Sequence, residues 1–144
     1  HIGGDMSVMD TLVTLYFKEM NISVDNFNTK DHDHFIMSKG HSVEALYAVL
    51  AEKGFFPIER VLKEFSQFGS MFIGHPNNKL PGIEMNSGAL GHGLPVAVGM
   101  AIASITISYC FFTSAIISSR LSYSWLRDMQ NFRRPAHIFF LCNR

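Results

Sequence analysis

Cysteine is scarce in this chain. Cys110 and Cys142 are its whole complement, too few and too poorly spaced for a disulfide framework or a Cys-based zinc site, so a reducing compartment is the expected setting. A surplus of either charge is also missing: twelve basic residues offset twelve acidic ones, and no global field draws in nucleic acid or an acidic partner. No basic-then-apolar leader with a small-residue cleavage site follows His1, which speaks against secretion and for a cytoplasmic setting; the true amino terminus is expected to lie upstream. Neither H-E-x-x-H nor a Cys/His ligand spacing occurs, so no metal ligands are assigned, although the HDH triplet at residues 32 to 34 is the nearest approach to a pair.

What is present is enough apolar material for one ordinary core, 47% of 144 residues. Val8, Met9, Leu12, Val13, Leu15, Tyr16 and Met20 recur at three- and four-residue spacings, which predicts a helix over residues 7–20 with Ser7 as its cap. A second helix is expected over residues 43–53, capped by Ser42, stopped by Gly54 and turning Val43, Leu46, Tyr47 and Leu50 inward. Pro57 opens a short helix to Phe65 that should bury Ile58, Val61, Leu62 and Phe65. GHPNNKLPG reads as loop, and a further helix is expected from about Gly91 to Ser104. Strand signals are confined to Phe35–Met37 and a weak apolar run at Ile138–Leu141.

The loops carry the polar chemistry. His1, His41, His75 and His92 each lie beside or near glycine, in HIGG, SKGH, GHP and GHG. Glycine lets another group approach closely, and an imidazole that titrates near neutrality suits holding a polyhydroxylated substrate and moving its protons. Taken singly, each is equally a loop histidine satisfied by backbone. In NSGALGHGLPVAVGMA, Gly88, Gly91 and Gly93 precede a helix whose free N–H groups would attract an anion. Their spacing is neither G-x-G-x-x-G nor a Walker loop, and no convincing strand precedes them, so a phosphate cradle and simple close packing both stay open.

Four segments, HIGGDMS, FIMSKGHSVEALYAVLAEKGFFP, FGSMFIGHP and PGIEMNSGALGHGLPVAVGMAIA, fall in an order and spacing that resembles the transketolases, in particular the separately encoded N-terminal section. The resemblance covers roughly the first 103 residues. It implies an α/β fold, an incomplete thiamine-diphosphate-binding domain of which the mostly helical N-terminal part is kept. It also implies transfer of a two-carbon ketol unit between sugar phosphates in the pentose phosphate pathway, with thiamine diphosphate as cofactor and Mg²⁺ expected for the family. By position, His1, His41 and His75 are the catalytic candidates. His41, His75, Gly88, Leu90, Gly91 and Gly93 are the cofactor-binding ones, with the Leu90 backbone meeting the aminopyrimidine. Partners implied are the C-terminal transketolase section or a second polypeptide of the assembly, with no nucleic acid and no membrane.

The departures are informative. His92 stands where Gln is usual, Ala89 where Ser or Pro is common, and His32 and His34 where a pair of Arg is usual; mostly neutral rings there would weaken any carboxylate pairing at neutral pH. No Gly-Asp-Gly occurs anywhere, and Asp128 and Asn131 are too close together to replace the family's magnesium ligands. Composition changes near Ser104. Residues 1–104 carry seven basic and eleven acidic residues, net −4, whereas residues 105–144 carry five Arg and one acid, net +4, with seven Ser between 104 and 124. The expected division is a partial cofactor domain at 1–104 and a divergent or non-homologous tail at 105–144, such as a translated intron or shifted frame would give. Leu94–Ser119 is 26 residues without a charge, long enough for a membrane span, but Pro95, Gly99 and its many hydroxyls weigh against that. The functional readings are therefore a piece of a transketolase, a catalytically inactive truncated relative that binds or interacts, and, third, a small membrane-anchored protein. The chain alone is expected to be inactive and loosely folded, with Leu12, Tyr16, Leu46 and Leu50 left partly exposed for want of a full sheet.

Overall fold

The computed structural model describes residues 1–29, 32–118 and 138–141. Helix α1 runs Ile2–Thr14 and closes in a π turn, Leu15–Glu19, where the Met20 N–H donates to the Leu15 carbonyl at 2.8 Å. It starts earlier than residue 7, so Ser7 is no cap. Its hydroxyl instead donates back to the Gly4 carbonyl at 2.7 Å, the usual recourse of a serine inside a helix, and Asp5 supplies the negative charge of the first turn. Val8, Leu12 and Tyr16 form the buried stripe, while Val13 is turned outward.

Helix α2, Val43–Glu52, packs against α1. Ser42 holds the cap position, yet its hydroxyl has no partner among the described residues; the Ala45 N–H is met by the Asp5 carboxylate at 3.3 Å, so α1 caps α2 through space. Gly54 ends the helix as expected, at φ +94, with its N–H on the Ala51 carbonyl and the Phe55 N–H on the Leu50 carbonyl, a Schellman arrangement. Helix α3 is short, Ile58–Glu64, and turns only one row inward: Val61 and Phe65 are partly buried, but Ile58 and Leu62, expected to face in, are exposed. Those two form their own i, i+4 row on the outer side of a helix too short to bury both.

Strand β1, His34–Met37, pairs in parallel with β2, Ile138–Leu141, from His34 opposite Ile138 to Met37 opposite Leu141. Both weak strand signals are thus realised, in one two-stranded sheet among the described residues. Helix α4, Gly93–Ser118, lies against both strands and runs well past the expected Ser104, since neither glycine nor proline interrupts it after Gly99. Among the described residues no helix is long and apolar enough to cross a membrane.

The expectation of an open core is overturned. Leu12, Tyr16, Leu46 and Leu50 are all at most 2% exposed. Phe55, Phe56, Phe72, Leu80 and Ile83 from the connecting loops join them in the same cluster and do the covering that further strands would do. Tyr47, Phe56 and Phe72 meet edge to face at 5.1 to 6.4 Å, the arrangement ring quadrupoles favour.

Candidate functional site

The SKGH loop leaves the carboxyl end of β1, the side of a parallel sheet where ligands are bound. It is pinned on arrival, because the Lys39 ammonium donates to the Ser7 hydroxyl at 2.8 Å and ties the loop to α1. This brings His1, at the start of α1, against His41: the two rings meet edge on with centroids 4.8 Å apart. Gly4 makes the approach possible. A side chain there would place its first carbon 3.6 Å from the His41 ring and 2.6 Å from the Ser42 hydroxyl.

His75 is fixed from the other side. The Tyr47 phenol donates to the carbonyls of Ile73 at 2.9 Å and His75 at 3.2 Å. Burial pushes that phenol up to about 12, so it remains a donor throughout the neutral range. The two histidine loops are drawn together at Gly40, where any side chain would strike Ser87 at 2.6 Å and Pro76 at 3.3 Å. Ser87 in turn donates to the Met37 carbonyl at 2.8 Å, which places the glycine-rich segment at the end of β1. Gly88 follows, and the space a side chain would take there reaches the His75 ring at 4.0 Å. Three segments distant in sequence therefore converge.

The glycines divide by role. Gly88 and Leu90 are exposed, and Gly91 sits at φ +85 with nothing within 4 Å of the space above it, so backbone lies open there for a flat ring to rest against. Gly93 serves close packing: a side chain there would come 2.7 Å from Ser38 Cβ and 2.9 Å from Ile36. The helix end is not the anion site its sequence suggests. The N–H of His92 donates to the Ala89 carbonyl, that of Gly93 to the Ser38 hydroxyl at 3.1 Å and that of Leu94 to the Gly91 carbonyl, while Pro95 has none. The residues present therefore fit the ring portion of a thiamine cofactor and do not fit its diphosphate, which finds neither free helix-end donors in this run nor a Gly-Asp-Gly carboxylate.

A second polar group lies at the opposite end of β1. His32 Nε2 and His34 Nδ1 both approach Glu84 Oε1 at 2.9 Å, with the histidine rings 4.4 Å apart. Glu84 is thus the carboxylate the departures at 32 and 34 left unnamed, and a separation of 50 residues hid it from any local motif. The hydrogen bond to Glu84 raises His34 above its ordinary value. Burial works against the Glu84 charge, yet its bonds to His34 and His32 hold the carboxyl below the usual range. Burial and then the Glu84 charge push the Tyr16 phenol far up. Asp128, Asn131 and His137 lie outside the described residues.

The family profile "Transketolase, thiamine diphosphate binding domain" matches residues 1–128. One of the two subunits of an apulose-4-phosphate transketolase from Phocaeicola vulgatus is 52% identical over 104 residues, covering 72% of this chain and 37% of that protein. Transketolase 1 of Saccharomyces cerevisiae is 33% identical over 129 residues, covering 89% of this chain and 19% of its own length. Among solved structures, a transketolase from Leishmania mexicana superposes with a TM-score of 0.68 at 28% identity, over 93% of this chain and 18% of that one. The chain spans little more than a third of the apulose-4-phosphate relatives it matches. With a matching profile over most of its length and a solved transketolase sharing its fold, the chain belongs to the transketolase family, in the part that forms the thiamine-diphosphate-binding domain.

Proposed function

We propose that the chain is the ring-binding portion of a ketol transferase, working with a second polypeptide on sugar phosphates. The observation that carries this is the convergence of His1, His41 and His75 on the open backbone at Gly88 to Gly91. Thiamine diphosphate, when bound, supplies the carbon that accepts and releases the two-carbon unit. The chain's own residues position and protonate. Gly88, Leu90 and Gly91 offer a flat, unobstructed surface; His41 and His75 present ring nitrogens to donor hydroxyls and a carbonyl oxygen; His1, edge on to His41, keeps that ring from swinging. Two relatives are named as single subunits of a transketolase, which supports a separate partner bearing the remaining site residues. Such substrates go with a cytoplasmic setting. Residues 1–104 are read as the cofactor-domain part and 105–144 as a divergent tail, since no Gly-Asp-Gly follows residue 104.

The test is titration of the full chain with thiamine diphosphate, with Mg²⁺ and with chelator, followed by histidine ring resonances. Weak binding insensitive to Mg²⁺ is expected, with His41 and His75 shifting and His32 unmoved, and with no turnover by the chain alone. Tight, Mg²⁺-dependent binding would overturn the reading of the tail. Unmoved His41 and His75 resonances at saturating cofactor would remove the cofactor reading itself and leave an interaction fragment.

A further inference from the structure

The group at the amino end of β1 is built like a metal site. His32 is almost wholly buried, and its Nδ1 lies 2.8 Å from the Thr29 carbonyl. A carbonyl only accepts, so Nδ1 carries the hydrogen. In a neutral ring Nε2 is then a lone pair, and it points at a carboxylate oxygen only 2.9 Å away. Two acceptors do not hold such a distance without a cation between them. His34 Nδ1 closes on the same oxygen, and the three ligand atoms lie within 4.8 Å of one another. An imidazole backed by a main-chain carbonyl is also the outer arrangement that fixes the tautomer of metal-bound histidines.

We propose that His32 Nε2, His34 Nδ1 and the Glu84 carboxylate bind a divalent transition-metal ion of the zinc class. Two imidazoles and one carboxylate suit zinc or cobalt better than magnesium or calcium, which prefer all-oxygen shells. Bonds of ~2.0–2.1 Å in a tetrahedron separate ligand atoms by roughly 3.4 Å. The two 2.9 Å contacts would open slightly and the two ring nitrogens would draw in, a side-chain adjustment only. The fourth position falls to water on the side of His34, the least covered of the three at 27%. The site stands at the far end of β1 from the SKGH loop, so the ion takes no part in ketol chemistry. It clamps the start of β1 to the segment that leads through Ser87 into Gly88.

Untagged full-length chain, stripped with chelator, is titrated with Co²⁺ and followed by visible absorption, then with Zn²⁺ in competition. Uptake of one equivalent with the intense bands of a four-coordinate Co²⁺ ion, displaced by Zn²⁺, is expected. His32→Gln, His34→Gln and Glu84→Gln should each weaken Zn²⁺ binding by at least the ~10–100-fold that loss of an outer partner costs. His92→Gln should leave it unchanged. Should a variant misfold, the ring nitrogen resonances of the unaltered chain decide: Zn²⁺ must shift His32 Nε2 and His34 Nδ1. Failure to take up a stoichiometric ion, or a His32 ring still protonated on both nitrogens in excess Zn²⁺, would show that a proton supplies the cation and overturn the proposal.

Discussion

Helices α1 and α2 bury the stripes their sequences advertise, whereas α4 does not. Val8, Leu12, Tyr16, Val43, Leu46 and Leu50 are closed off, while Leu94, Val98, Ile102 and Ile105 stand exposed and Ala97 is the apolar α4 side chain that is buried among the described residues. The uncharged run of α4 is hydrophobic on all sides, the composition of a helix enclosed on every face. The first region is therefore self-sufficient, and the second awaits cover, in keeping with a chain that matches little more than a third of its apulose-4-phosphate relatives.

The largest expected effects lie in the loops hung on the first region. In an assembled enzyme with Gly-Asp-Gly and the partner polypeptide restored, His41→Ala or His75→Ala should lower ketol transfer by about 10² to 10⁴, the range for a positioned proton-handling group. His137→Ala should change the rate little. Equal, small losses at all three would reduce these imidazoles to loop structure.

Next come the cores themselves. Phe72→Ala and Leu50→Ala, both at fully buried positions, should cost about 2–5 kcal/mol in urea unfolding. Ile102→Ala, on exposed α4, should stay within about 0.5 kcal/mol. A comparable loss at Ile102 would break the contrast, because it would mean that α4 is covered in solution.

A glycine pair sharpens it further. Gly82 and Gly91 share a left-handed backbone, φ +87 and +85, but a side chain at Gly82 would strike Leu50 at 2.7 Å and Phe55 at 3.0 Å, whereas Gly91 faces open space. Gly91→Ala should cost only the backbone strain, roughly 1–2 kcal/mol. Gly82→Ala should add overpacking of roughly 1–3 kcal/mol to that. Equal midpoint shifts would mean that the Leu50 and Phe55 contact yields freely.

Much of the fold was legible in the sequence because it is local. Helix periodicity, the Gly54 stop and the two short apolar runs each declare themselves within a dozen residues, and the four segments that resemble transketolases carry the family. What was not legible depends on partners far apart in the chain. Asp5 caps α2 from another helix, loop aromatics seal a core that looked unfinished, and Glu84 meets His32 and His34 across 52 and 50 residues. The helix end at Gly93 misled for the same reason: its N–H groups are free in any local reading, and only Ser38, 55 residues earlier, shows one of them taken.

The smallest expected effect tests α4 most directly. Gly99 lies in the interior of that helix, exposed, with nothing within 4 Å of the position a side chain would occupy. Glycine there carries the full entropy loss of helix formation without any packing return, so Gly99→Ala should stabilise the chain by roughly 0.5–1 kcal/mol. The gain should appear as a raised urea midpoint with an unchanged slope, since no surface is newly buried. Were the face around Gly99 closed by another element in solution, the added methyl would meet it and the midpoint would fall. The sign of this one shift thus decides whether α4 stands bare or covered.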